Sequence, residues 1–401
     1  MAGWPCRGEL DEMGLVDPGA TQWRGQCPDT PPLGLADGFH VLGWTDCDLS
    51  ALEPEWRALA RDASTPNPFF EHWYLRPSLE QLDPQGESRL ALFVADGRLA
   101  GLMPLRAAPR YHSRPLANFT TWLHHNCFCG SPLVAEGQEE AFWSACLAWC
   151  DAQAGRALFL HLPQMPTDGP LADALAKVCR AGRRSFRQVL REERAMLASD
   201  LAPDAYLQTA MRSKRRKELR RQRNRLAEHG ELVVVRSRDE DGIDHWIDQF
   251  LELEARGWKG DGGSALSSHR ETERLFRAAM DAAARAGKLE RLSLTLDGRP
   301  IAMLATFLTG RAGFSYKTAY DEEYARYSPG LQLQLANLDL LDDPAMDWCD
   351  SCAAQDHSMI DHLWRERREI AWFSLPVGRG PRRLVGEIWT ALEAWRWRRN
   401  L

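Results

Sequence analysis

Asp350, His357 and the tyrosines Tyr316, Tyr320, Tyr324 and Tyr327 bring a carboxylate, an imidazole and several phenols into the stretch 316–357. A carboxylate or a neutral imidazole can take a proton from a nucleophile, and a phenol can return one to a leaving group. Between them, Ser328-Pro329-Gly330 precedes an apolar run and has the marks of a helix start. The serine can cap, the proline suits the first helical position, and the glycine lets a ligand approach the backbone. The amides of Leu331, Gln332 and Leu333 are then expected to face outward at the positive end of the helix, where a pyrophosphate can sit. The other reading of the same residues is a serine that caps a structural helix.

Two more features could handle negative groups. Trp258-Lys259 lies in the Gly-rich stretch 257–263, either as a loop that steers an anion or as a helix end with a packed tryptophan and a solvated lysine. Residues 180–225 hold fifteen Lys or Arg against five Asp or Glu, a local net of +10 that leaves −16 for the rest of a chain whose formal charge is −6. Arg212 and Lys214 open the densest part of this run. A helix over 206–229 would gather Leu207, Met211, Leu219 and Leu226 on one face and leave the arginines for phosphates or for solvent.

Cys349 and Cys352 form a lone CxxC, and Cys127 and Cys129 follow His124-His125. The pairs fall in different halves and lack the two-knuckle spacing of a zinc site, so no metal is expected. With ten cysteines scattered along the chain and no apolar h-region at the amino terminus, reduced thiols and a cytoplasmic location are expected. No apolar run reaches the length of a membrane helix.

These residues need a scaffold, and 401 residues at 44% apolar suit two domains better than one. The overall charge excludes a uniformly basic nucleic-acid binder. Residues 1–38, with twelve Gly or Pro, are expected to be a disordered leader. Domain one is expected over 39–195, a basic linking helix over 196–230, and domain two over 231–401. Asp96-Gly97-Arg98 and Asp297-Gly298-Arg299 interrupt similar apolar runs 201 residues apart, as two copies of one hairpin in a duplicated domain would. The second half reads as a strand at 231–237, helices at 243–255 and 272–286, then strands at 289–296, 301–308 and 312–320. A helix at 331–341, a strand at 346–350, a helix at 359–368 and a strand at 370–375 follow. A terminal helix over 382–399, with Leu384, Ile388, Leu392 and Trp395 along one face, is expected to pack on the second domain rather than meet a membrane.

That element order resembles the GNAT acyltransferase fold. The strings Arg212-Ser213-Lys214-Arg215-Arg216-Lys217, Gly257-Trp258-Lys259-Gly260 and Tyr320-Asp321 followed by Tyr324 and Ser328-Pro329-Gly330 are similar to the CelD-type acetyltransferases, kin of the tandem-GNAT FemABX peptidyltransferases. The resemblance spans about 39–380. It implies an α/β (α+β) fold of two tandem GNAT-like domains, each a mostly antiparallel mixed sheet flanked by helices, with the donor on the second and the acceptor cleft shaped by the first. The chain departs from the common pattern at the phosphate loop, where Arg326 to Leu331 offers only Ser328-Pro329-Gly330, and after Asp350, where Ser351-Cys352 replaces the usual continuation.

The implied reaction is transfer of an acyl group from acyl-CoA, acetyl-CoA first, to an amine or hydroxyl of a small molecule or envelope precursor. Ser328, Gly330, Leu331, Gln332 and Tyr316 would contact the donor. Trp258, Lys259, Arg212 and Lys214 would contact substrate. Asp350 is the first candidate base, His357 the second, and Tyr320 a proton source. Aminoacyl transfer from charged tRNA and a catalytically silent ligand-binding module remain as alternatives. Oligomeric state is left open.

Overall fold

Both Asp-Gly turns close the expected hairpins. Asp96 and Gly97 have φ of 52° and 69°, and Asp297 and Gly298 have 50° and 78°. Two successive residues at positive φ give the turn twist that matches a right-twisted strand pair. The computed structural model describes residues 34–257 and 265–399.

The first half runs β1 (Gly38–Gly43), α1 (Leu49–Asp62), α2 (His72–Leu82), β2 (Arg89–Ala95), β3 (Arg98–Ala108), β4 (Asn118–Thr121), β5 (Leu133–Val134), α3 (Glu139–Ala152), β6 (Phe159–Pro166), α4 (Pro170–Ala181) and β7 (Arg187–Leu197). After α5 (Pro203–Ala210) and α6 (Ser213–Ala227) come β8 (Leu232–Ser237), α7 (Ile243–Arg256), α8 (Arg270–Arg285), β9 (Leu289–Leu296), β10 (Arg299–Thr309), β11 (Ala312–Tyr320), α9 (Pro329–Ala336), β12 (Trp348–Asp350), β13 (Glu366–Pro376) and α10 (Pro381–Arg399). The fold is mixed α/β, with a large, mostly antiparallel sheet flanked by helices.

All thirteen strands share one sheet in the order β1-β2-β3-β4-β6-β13-β7-β12-β11-β10-β9-β8, with β5 on β3. Only β4–β6 and β11–β12 pair parallel among these strands. The two halves exchange strands at the centre. The late strand β13 lies between β6 and β7 of the first half, and β7 in turn pairs with β12 of the second. One apolar core therefore runs through both halves, with Trp73 of α2 against Phe307 of β10 at 4.8 Å between ring centroids.

Three expectations change. The basic helix over 206–229 is two helices, because Met211 turns extended and inserts its side chain into the core between α5 and α6. The helix expected over 359–368 is a single turn, closed by the Leu363 and Trp364 amides on the Ile360 carbonyl, and Glu366 already begins β13. Its helical spacing of Ile360, Leu363 and Trp364 serves burial of all three side chains in that one turn. Sheet pairing takes the rest of the segment, and the amide of Arg365 goes to the Tyr206 hydroxyl at 2.8 Å. Third, the apolar stripe of α10 does not pack. Leu384, Ile388, Leu392 and Trp395 are 62%, 54%, 46% and 53% exposed, while the small residues Gly386, Thr390 and Ala394 face the protein. Small side chains let this helix approach the sheet closely, so its large ones stand on the far side.

Candidate functional site

The parallel pairing of β11 with β12 covers three residues and ends at Phe314 opposite Asp350. Two events open the sheet there. On β11 the register slips, with Lys317 opposite Ala305 and Ser315 opposite Thr306, so Tyr316 is the extra residue of a bulge. On the other side the chain leaves β12 to follow β7, its Ser351 amide bonding the Ala195 carbonyl at 3.1 Å. The result is a wedge between β11 and β12, which stop pairing beyond Phe314 and Asp350.

Helix α9 starts beside this wedge. Ser328 precedes it in the left-handed region at φ 55°, a strained place for a serine, and its side chain makes no capping bond. The amide of Gln332, expected to face outward, bonds the Ser328 carbonyl at 2.9 Å. Pro329 has no amide hydrogen, so Gly330 and Leu331 supply the donors that precede the helical ladder. Gly330 sits close to both walls: a Cβ there would lie 3.2 Å from Met359 Sδ and 3.3 Å from Tyr320 Cδ1. The buried Gln332 side chain points away from the wedge and donates to the Leu219 carbonyl of α6 at 2.8 Å. That bond ties the basic helix to the start of α9. Eight of the fifteen residues of α6 are Lys or Arg and one is Glu. Arg212 and Lys214, at its beginning, are exposed.

Asp350 is fully buried and both its oxygens are engaged. Oδ1 accepts the Cys352 amide at 2.8 Å, and Oδ2 accepts Arg368 Nη1 at 2.9 Å. Arg368, itself buried, lies over the Trp348 ring at 4.4 Å. His357 is exposed, in the turn that leads to Met359. Tyr320 is half-buried against Gly330. Tyr316 is buried, 4.4 Å from the Phe307 ring, and its hydroxyl is 3.2 Å from that of Tyr74. Trp258 and Lys259 lie outside the described residues. The structure thus brings Tyr320, Gly330, Leu331 and the turn holding His357 to one mouth, and sets Asp350 and Tyr316 in its walls.

Sequence reasoning missed what the first half contributes. The Tyr74 hydroxyl donates to the Asn126 carbonyl, and burial pushes both Tyr74 and Tyr316 well above the usual phenol range. His124 stacks on Tyr74 at 5.9 Å with its Nε2 3.2 Å from Ser78 Oγ. Burial first, then the charges of His125 and Lys317, push it down to about 3, so it is neutral at physiological pH. The only clue in the sequence was a His-His pair next to Cys127. Cys127, Cys349 and Cys352 are buried thiols raised well above the ordinary range by desolvation, which suits packing rather than nucleophilic attack. Among the described residues no group of three or more His, Cys, Asp or Glu could hold a metal.

The first half has a matching parallel pair, β4 with β6, but there the gap is filled by its own chain. The Gly130 amide bonds the Gln164 carbonyl at 2.9 Å, and Arg194 donates to the Phe128 carbonyl and, at 3.1 Å, to Gln164 Oε1. The first-half gap is thus bridged by its own chain.

Residues 213–357, which contain both β11 and β12, match the family model of the acetyltransferase (GNAT) domain. Solved structures share the fold of the whole chain. FemX shares it at 12% identity and a TM-score of 0.50, over 80% of this chain and 95% of that one. A conserved protein of unknown function from Bacteroides thetaiotaomicron VPI-5482 does so at 10% and 0.54, over 83% and 98%. So does the C-terminal domain of a putative lysylphosphatidylglycerol synthetase from Agrobacterium fabrum, at 10% and 0.51, over 82% and 92%. At such identities the likeness is one of fold. No curated protein matches the sequence.

Proposed function

We propose that the protein transfers an acyl group from acyl-CoA to an amine or hydroxyl acceptor, with the donor in the wedge between β11 and β12. The observation that carries this reading is the end of strand pairing at Phe314–Asp350, with the start of α9 against Tyr320 further along β11. The gap between β11 and β12 can take an extended amide-bearing arm, and the Gly330 and Leu331 amides can meet a pyrophosphate. Asp350, sealed by Arg368, acts as a positioning residue that fixes where β12 leaves β11. The proton carriers at the mouth are His357 and Tyr320. The first half supplies Tyr74, whose hydroxyl meets that of Tyr316, and its own bridged gap leaves one donor site per chain.

A second reading, a charged tRNA as donor, draws support from α6. Eight cations tied to α9 exceed what one coenzyme's phosphates need, and FemX and a lysylphosphatidylglycerol synthetase share the fold. Salt separates the two. Binding of tRNA should fall steeply as salt rises, by the number of phosphates neutralised, while acyl-CoA binding should fall far less. Single-turnover assays with radiolabelled acetyl-CoA and with charged tRNA, each against a panel of amines, test the proposal. Acetyl transfer supports the first reading, and transfer from tRNA alone replaces it with the second.

A further inference from the structure

The outward stripe of α10 is the largest run of exposed apolar side chains among the described residues. Leu384, Ile388, Leu392 and Trp395 repeat at helical spacing, and Val385, 50% exposed, widens the stripe. A water-facing stripe of five large side chains is costly to leave uncovered, so something covers it. What covers it is argued by the charges around it.

Arg382, Arg396 and Arg399 are exposed on the same helix, and Arg379 is exposed just before it. The Arg399 guanidinium rests 4.6 Å above the Trp395 ring, an aromatic and a cation sharing the border of the stripe. From the adjoining loop, exposed Arg114 lies 4.9 Å above the Trp389 ring. Both acidic residues of the helix turn the other way. Glu387 Oε1 accepts the Ser185 amide at 3.4 Å, and Glu393 meets Tyr111, its carboxyl raised by burial. The outer face is therefore leucine, isoleucine, valine and tryptophan bordered by arginine alone.

We propose that α10 lies in the surface of an anionic lipid bilayer, apolar stripe down and arginines at the headgroups. The chemistry fits an interfacial helix: apolar side chains enter the acyl boundary, tryptophan sits at its edge, and guanidinium groups pair with phosphates. A second copy of this chain fits less well. A two-fold contact through one helix face would set arginine borders against arginine borders, with no outward acid on the helix to pair them. No described helix is long and apolar enough to cross a membrane, so this contact is with the surface.

Flotation of the full chain with vesicles tests the proposal. One set is phosphatidylcholine alone, and in the other about a third of the lipid is phosphatidylglycerol. Binding to the anionic set only is expected. Ile388→Ser with Leu392→Ser should weaken it by about tenfold or more, and so should Arg382→Gln with Arg396→Gln. All four positions are exposed, so both variants should melt within about 2 °C of the parent. Absence of vesicle binding, equal binding to both vesicle types, or binding that either variant leaves intact overturns the proposal. So does a parent that sediments as a dimer, ignores vesicles and becomes monomeric in the Ile388→Ser, Leu392→Ser variant.

Discussion

Arg368 of β13 and Asp350 of β12 form a buried ion pair at 2.9 Å across the intervening strand β7. The pair clamps the exchanged strands at the level where β11 and β12 part. It also holds the wedge at a fixed opening, since Asp350 Oδ1 anchors the Cys352 amide on the departing chain.

Removing one partner leaves a charge buried without its counterion. Arg368→Met or Asp350→Leu alone should each cost about 3–5 kcal/mol, read from urea unfolding. The double variant should be less destabilised than either single one, because no orphaned charge remains. Losses that simply add would show that the two side chains act independently.

His161 gives the exchange a pH dependence. It lies on β6 with Nδ1 3.1 Å from Ser374 Oγ of β13, and burial, with His112 second, pushes it down to about 3. The folded protein keeps it neutral while the unfolded chain protonates it below about pH 6.5, so its share of stability is complete above that value. The share is lost as pH falls, by about 1.4 kcal/mol per unit until the folded group titrates. His161→Gln should flatten the slope of stability against pH between about 6 and 4. An unchanged slope would place the acid sensitivity elsewhere.

Local pattern explains what the sequence made legible. The paired Asp-Gly hairpins, the strands at 289–296 and 312–320 and the helix ended by Gly287 rest on turn chemistry and periodicity within a few residues. Strand exchange does not. β13 reaches β6 across some two hundred residues, and nothing in either strand marks the other as its partner. For the same reason Asp350 read as a candidate base, because its partner Arg368 is set by sheet order. The turn at Ile360–Trp364 read as helix because i, i+3, i+4 apolar spacing also suits one buried turn before a strand. For α10 the stripe itself was legible, but amphipathic spacing does not say which side the sheet takes. Gly386, Thr390 and Ala394 decide that by letting the backbone come close.

The basic helix should act on the donor through charge. Lys214→Glu with Arg215→Glu, both exposed, should weaken donor binding by about tenfold at low salt, with the gap narrowing as salt is raised toward 0.5 M or so. Equal loss at every salt concentration would indicate damage to the fold.

Calorimetric titration with acetyl-CoA of the parent protein and of Gly330→Val tests the donor wedge most directly. A side chain at Gly330 must intrude between Tyr320 and Met359, in front of the first amides of α9. Saturable one-to-one binding by the parent, lost in a variant that still melts cooperatively, is the expected result. No binding by the parent, or binding that Gly330→Val leaves unchanged, would contradict a donor site between β11 and β12.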